Sequence, residues 1–206
     1  MQVLIDDKII LNYPTALSPI SSALQGALYK GEWTYCSSPA ILGLLNSIYY
    51  PSADKQSNLS IFGLELNGGL SIDDRQSIRG QIRHIHGRKI FPDGITIEEE
   101  INENHLLISD NIDIEKYKIL LDSYGMSMDL LCQSLSHSQR IILDILMALD
   151  SDISLLILEG IVDSIIPTYK NKILDVIYHT SLIDGLTVLI FTDNIEIKNK
   201  YLGRNF

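Results

Sequence analysis

Two short runs of unbroken apolar residues constrain this chain more than any other feature. They are Leu155-Leu156-Ile157-Leu158 and Val188-Leu189-Ile190-Phe191, the second opened by Thr187. A strand with one wet face alternates apolar with polar residues. An unbroken run marks a strand covered on both faces, as in a buried parallel sheet. Between the runs lie residues 167–181, which begin with Pro167, a favoured first residue of a helix. The order strand, helix, strand predicts an α/β fold with a parallel sheet.

Earlier segments predict further elements. Residues 3–5 and 9–11 read as a hairpin across Asp6-Asp7, the start of an N-terminal antiparallel β region. Residues 23–29 and 32–36 read as short strands broken at Lys30-Gly31, with Cys36 at the end of a strand neighbouring the two apolar ones. Pro39 precedes a run, 40–50, whose apolar residues follow helical spacing. Residues 60–66 read as a strand, 72–80 as a short polar helix and 81–85 as another strand. After Pro92-Asp93-Gly94 the pattern turns helical at 96–102, 114–124 and 127–134, with Gly125 as a cap between the last two. Residues 136–149 read as a long amphipathic helix N-capped by Ser136, and 194–201 as a final helix. One domain is expected over 1–206, with a helical lobe inserted at about 94–134.

Composition narrows the function. The hydrophobic fraction of 46% is ample for a core, and the chain is not of the disordered type. A net charge of -10, with 16 scattered basic residues, argues against nucleic acid and against anionic lipid as partners. Cys36 and Cys132 show no paired spacing and read as reduced, buried thiols. No stretch reaches the roughly 18 apolar residues of a membrane helix. Asp6 and Asp7 stand where a signal peptide carries basic residues, so no signal peptide is expected. Any role at a membrane must then come through a partner, without direct insertion. His84 and His86 alternate as a metal pair on a strand would, but no third ligand follows. They read as an exposed or capped pair, and no metal site is expected.

Four motifs, Lys30-Gly31-Glu32, Arg79-Gly80-Gln81-Ile82, Phe91-Pro92-Asp93-Gly94-Ile95-Thr96-Ile97 and Leu135-Ser136-His137-Ser138-Gln139, stand in this order before the two apolar strands; together they resemble the ATP-binding subunit of ABC transporters, most closely its exporter-type members. Lys30-Gly31-Glu32 is similar to the "KGE" before that family's phosphate-loop strand. Arg79-Gly80-Gln81-Ile82, followed by Phe91-Pro92-Asp93-Gly94-Ile95-Thr96-Ile97, resembles the segment around its Q-loop. Leu135-Ser136-His137-Ser138-Gln139 stands where LSGGQ is expected, and Ala148-Leu149 matches the end of the helix that follows. The strand ending at Leu158 matches Walker B, and the strand ending at Phe191 matches the switch-histidine strand. The resemblance implies an ABC ATPase-like, P-loop NTPase-type core with a parallel sheet, an N-terminal antiparallel β region and a small helical lobe.

It also implies a site whose chemistry is missing. Ser37-Ser38-Pro39 replaces the phosphate loop, with no Lys and with about six residues too few to wrap a phosphate. Pro39 removes a donor N–H as well. His86-Gly87-Arg88 stands in place of the Q-loop glutamine. Glu159 replaces the magnesium-linked Asp, Gly160 the catalytic Glu, and Asp193 the switch His. His137 and Ser138 replace the two signature glycines, which leave room for a partner subunit's nucleotide. Ser136 and Gln139 survive. They read either as residual contacts to a nucleotide on another subunit or as an N-cap and a solvated helix start.

The expectation is therefore a pseudo-ATPase with no catalytic residues and no cofactor. The resemblance implies a structural or regulatory subunit of a membrane-associated transport or secretion complex. Its partner would be a membrane permease subunit, an active ABC ATPase subunit or a second copy. Its location would be cytoplasmic, peripheral to the inner membrane. The alternatives are a soluble adaptor unrelated to transport, or a divergent active ATPase. The contact surface is expected within about 84–134, where Phe91, Pro92, Ile95, Ile97, Met126 and Met128 supply apolar groups, either exposed on loops for a partner or filling the small lobe's own core.

Overall fold

The computed structural model describes residues 30–36, 60–61, 64–65, 71–106, 113–192, 194–201 and 204–205. The expected hairpin and strands within 1–29, the segment 37–50 and Asp193 lie outside the described residues.

A five-stranded sheet forms the centre. Its strands are β1 (Trp33–Cys36), β4 (Ile82–Ile85), β5 (Leu155–Glu159), β6 (Thr187–Phe191) and β7 (Arg204–Asn205), in the order β4-β5-β6-β1-β7. Every neighbouring pair runs parallel. Leu155 to Leu158 and Thr187 to Ile190 are all buried, as unbroken apolar runs require. Cys36 ends β1 and pairs with Phe191, which is the expected neighbouring strand.

The helices are α1 (Ile72–Gly80), α2 (Ile97–Leu106), α3 (Ile114–Asp122), α4 (His137–Leu149), α5 (Pro167–Asp184) and α6 (Ile195–Lys200). α1 is closed by a reciprocal cap between Ser71 and Asp74, and α6 by the Asn194 side chain. α5 opens on Pro167 and stops at Gly185, whose φ of 69° is left-handed. Tight aromatic packing ties β1 to α5 and α6. The Trp33 ring stacks on Tyr201 with centroids 5.0 Å apart, and its Nε1 donates to Ser181 Oγ at 2.9 Å. Tyr35 Oη donates to the Tyr201 carbonyl at 2.8 Å.

Three expectations are corrected. Residues 60–66 hold two short antiparallel strands, β2 (Ser60–Ile61) and β3 (Leu64–Glu65), in place of one. Residues 127–134 are not an α-helix, and only a 3-10 turn forms at Cys132–Ser134. The reason is tertiary. The Met128 and Leu130 carbonyls accept from Glu98 N and Ile97 N at 3.0 and 2.9 Å, capping the start of α2. Cys132 N donates to the Ile95 carbonyl in the same ladder. The third concerns α3, which ends at Asp122 with Ser123 as its cap, leaving left-handed Gly125 two residues beyond the cap. β7 had no counterpart in the sequence pattern.

Candidate functional site

The carboxyl ends of β4, β5 and β6 gather the chemistry-bearing residues. In open parallel sheets, ligands bind beyond these ends. β4 and β5 pair with His84 opposite Ile157. That register brings His84 Nε2 within 2.7 Å of Glu159 Oε2. A carboxylate can only accept, so Nε2 carries the proton and donates. Burial lowers the His84 pKa, and the Glu159 carboxylate, which opposes the shift, does not overcome it. The pair is therefore a neutral imidazole bonded to a carboxylate. The His86 ring meets the His84 ring edge-on at 5.3 Å, and His86 Nδ1 accepts from Arg88 N at 3.2 Å. No group of three His, Cys, Asp or Glu side chains able to hold a metal occurs among the described residues.

Gly160 follows Glu159 with φ 64°, and a Cβ there would meet nothing within 4 Å. The position has room for a side chain but the wrong backbone for one. Beyond it, Asp163 Oδ2 accepts from Thr192 Oγ1 at 2.9 Å, which ties the segment after β5 to the end of β6.

Ser136 and Gln139 have structural partners. Ser136 Oγ accepts from Gln139 N, and Gln139 Oε1 accepts from Ser136 N at 3.0 Å. This is a complete capping box. The Gln139 amide then donates to the Tyr124 carbonyl at 3.2 Å and to the Gly125 carbonyl at 3.4 Å. Ser138 is buried, and its Oγ accepts from Ile166 N at 3.1 Å, at the entry of α5. His137 is exposed.

The expected apolar contact surface is corrected. Phe91, Ile97, Met126 and Met128 are buried in the main core, and Ile95 packs partly against it. Only Pro92 of that set is exposed. Among the described residues of this region, the exposed large apolar side chains are Ile90, Ile119 and Leu131, of which Ile90 and Ile119 are the most exposed at 89% and 71%. Lys89 lies 4.8 Å over the Phe91 ring and bonds Glu100 at 3.0 Å. Burial, with the Glu100 charge second, pushes the neighbouring Cys132 thiol up to about 11, so it stays protonated and inert.

No protein-family model matches the sequence, and no curated protein matches it. Solved structures do share its fold. An ATP-binding subunit of an ABC transporter superposes with a TM-score of 0.68 at 15% identity, covering 94% of this chain and 82% of that one. The protein cbiO1 from Clostridium perfringens, part of the ABC transporter complex cbiONQ, gives 0.68 at 16% identity over 94% and 80%. An ATP-binding cassette solved as a dimer in a post-hydrolysis state with ADP and Pi gives 0.64 at 17% identity over 92% and 89%. The chain has the α/β fold of an ABC ATPase domain, a P-loop NTPase fold. Among the described residues, no helix is long and apolar enough to cross a membrane.

Proposed function

We propose that this chain is a non-catalytic ABC-type subunit, a pseudo-ATPase that serves a membrane-associated transport or secretion complex through protein contacts. The observation that carries the proposal is the end of β5. Glu159 is held by His84 at 2.7 Å, and Gly160 follows it. A carboxylate engaged by a neighbouring imidazole is poorly free for magnesium, and position 160 has no group to orient or deprotonate water. Magnesium nucleotide, which the fold family implies, does not fit these residues. The sequence adds that Ser37-Ser38-Pro39 has neither the length nor the Lys of a phosphate loop. Gln139, which survives from the signature motif with Ser136, has its amide engaged by two carbonyls.

The partner in this proposal is a permease, an active ABC ATPase or a second copy. Residues 94–134 act as a helical lobe within a single domain. The location follows from the partner: cytoplasmic, at the inner membrane. A relative that is part of an ABC transporter complex, and another solved as a dimer, support a role in assembly. The test is calorimetric titration of the protein with ATP and ADP in the presence of magnesium. No saturable heat is expected at millimolar nucleotide. Saturable, magnesium-dependent binding overturns the proposal.

A further inference from the structure

Lys89 stands where three parts of the chain meet. It belongs to residues 86–92, which lead from β4 toward α2. Its ammonium lies 3.0 Å from Glu100 Oε1 on α2 and 3.7 Å from Asp144 Oδ1 on α4. The same ammonium lies 4.8 Å over the ring of Phe91, which is buried in the core. The Glu100 and Asp144 side chains are only 10% and 21% exposed. One ammonium thus serves two largely covered carboxylates on two different helices.

The two contacts are unequal. Glu100 is within hydrogen-bond reach of Lys89, whereas Asp144 at 3.7 Å is beyond it and is held by charge alone. That second tie is lost when Asp144 is neutral. Arg83 on β4 and His86 on the same connecting segment also face Asp144 with positive charge. Burial nevertheless raises the Asp144 pKa above its ordinary value, and Lys89, Arg83 and His86 oppose the shift without overcoming it. Asp144 therefore takes up a proton earlier in acidification than an exposed aspartate does. The nearby Cys132 thiol, pushed up to about 11 by burial, stays protonated throughout.

We propose that residues 86–92 form a proton-released strap, pinned by Lys89 to both α2 and α4 while Asp144 is ionised and to α2 alone once Asp144 is neutral. Ile90, almost fully exposed, sits on this strap. Release and global stability move in opposite directions. A carboxyl whose folded pKa is raised binds its proton more tightly in the folded chain, so the proton that frees the strap favours the fold. An ion pair that only braces the structure would lose stability on the same proton. The strap does not depend on whether the chain is a pseudo-ATPase.

The test is NMR of the whole chain between pH 7 and pH 4. It follows the Asp144 and Glu100 carboxyl carbons, the His86 ring, the Lys89 Cε and the Ile90 methyl. The Lys89 signal should shift with the Asp144 midpoint, and the order of the Ile90 methyl should fall with it. Asp144→Asn should show the released Lys89 and Ile90 signals already at pH 7, with no step on acidification. Its denaturation midpoint at pH 7 should match or exceed that of the parent. If Asp144→Asn does not fold, Lys89→Met decides, since its Ile90 methyl should be as mobile at pH 7 as in the acidified parent. A Lys89 signal that stays flat, or that follows His86 or Glu100 in place of Asp144, overturns the proposal. So does an Asp144→Asn chain that keeps the step or melts below the parent, or a Lys89→Met chain whose Ile90 methyl stays ordered.

Discussion

His84 and Glu159 sit 75 residues apart in sequence and 2.7 Å apart across neighbouring parallel strands. The contact joins the acid at the end of β5 to the strand before the Q-loop-like segment. Both side chains are mostly covered. Removing the imidazole therefore strands a half-buried carboxylate. His84→Ala should destabilise the fold by about 1–3 kcal/mol in denaturant melts. His84→Gln, which restores a donor, should recover part of the loss.

The same pair sets a pH dependence. Burial holds the folded His84 pKa below that of the unfolded chain, near 6.5. Between the two values the unfolded state binds more protons, so stability rises with pH across that window. The contribution is complete above about 6.5 and fades as pH falls through the folded value. Melts of the parent chain and of His84→Gln between pH 7 and 5 should show a steeper loss in the parent. Parallel profiles would show that His84 titrates as it does in the unfolded chain.

Gly160→Glu should fold and should not hydrolyse ATP. The left-handed backbone at 160 costs a non-glycine residue about 1 kcal/mol, although the space itself is open. The new carboxylate would still face no phosphate cradle. A modest drop in the denaturation midpoint with no turnover above background is expected. Turnover would show that nucleotide docks by another route.

The parallel sheet was legible because its signal is local. Leu155 to Leu158 and Val188 to Ile190 announce burial on both faces within a few residues, and Pro167 announces the helix between them. The helix cap at Ser136 was legible for the same reason. Contacts set by register were not. Nothing near His84 in the chain points to Glu159, and nothing near Gln139 points to the Tyr124 carbonyl. Residues 127–134 looked helical, but the Met128 and Leu130 carbonyls instead cap α2, a partner some thirty residues earlier that the local pattern does not reveal. Apolar residues in the same region could be counted but not aimed. Phe91 turned inward while Ile90 beside it turned out.

Gln139 should behave as a structural residue. Gln139→Ala removes half of the capping box and both bonds to the Tyr124–Gly125 turn, and should cost about 1–2 kcal/mol. Gln139→Glu keeps the acceptor for Ser136 N but turns a carboxylate toward two carbonyls. It should therefore fail to rescue the alanine variant fully. Thermal melts of the two variants decide. Neutral effects from both would mean that the cap and the bridge contribute little.

The proposed contact surface moves to Ile90 and Ile119. Phe91→Ala would open a cavity in the core at about 3–5 kcal/mol and would say nothing about a partner. Ile90→Ser and Ile119→Ser change exposed side chains, where substitutions usually stay within about 0.5 kcal/mol. The double variant should melt with the parent. If the chain docks on a membrane complex through these side chains, co-purification with that complex should fall sharply in the double variant. Undiminished co-purification, with the fold intact, would move the docking surface away from the segment that holds Ile90 and Ile119.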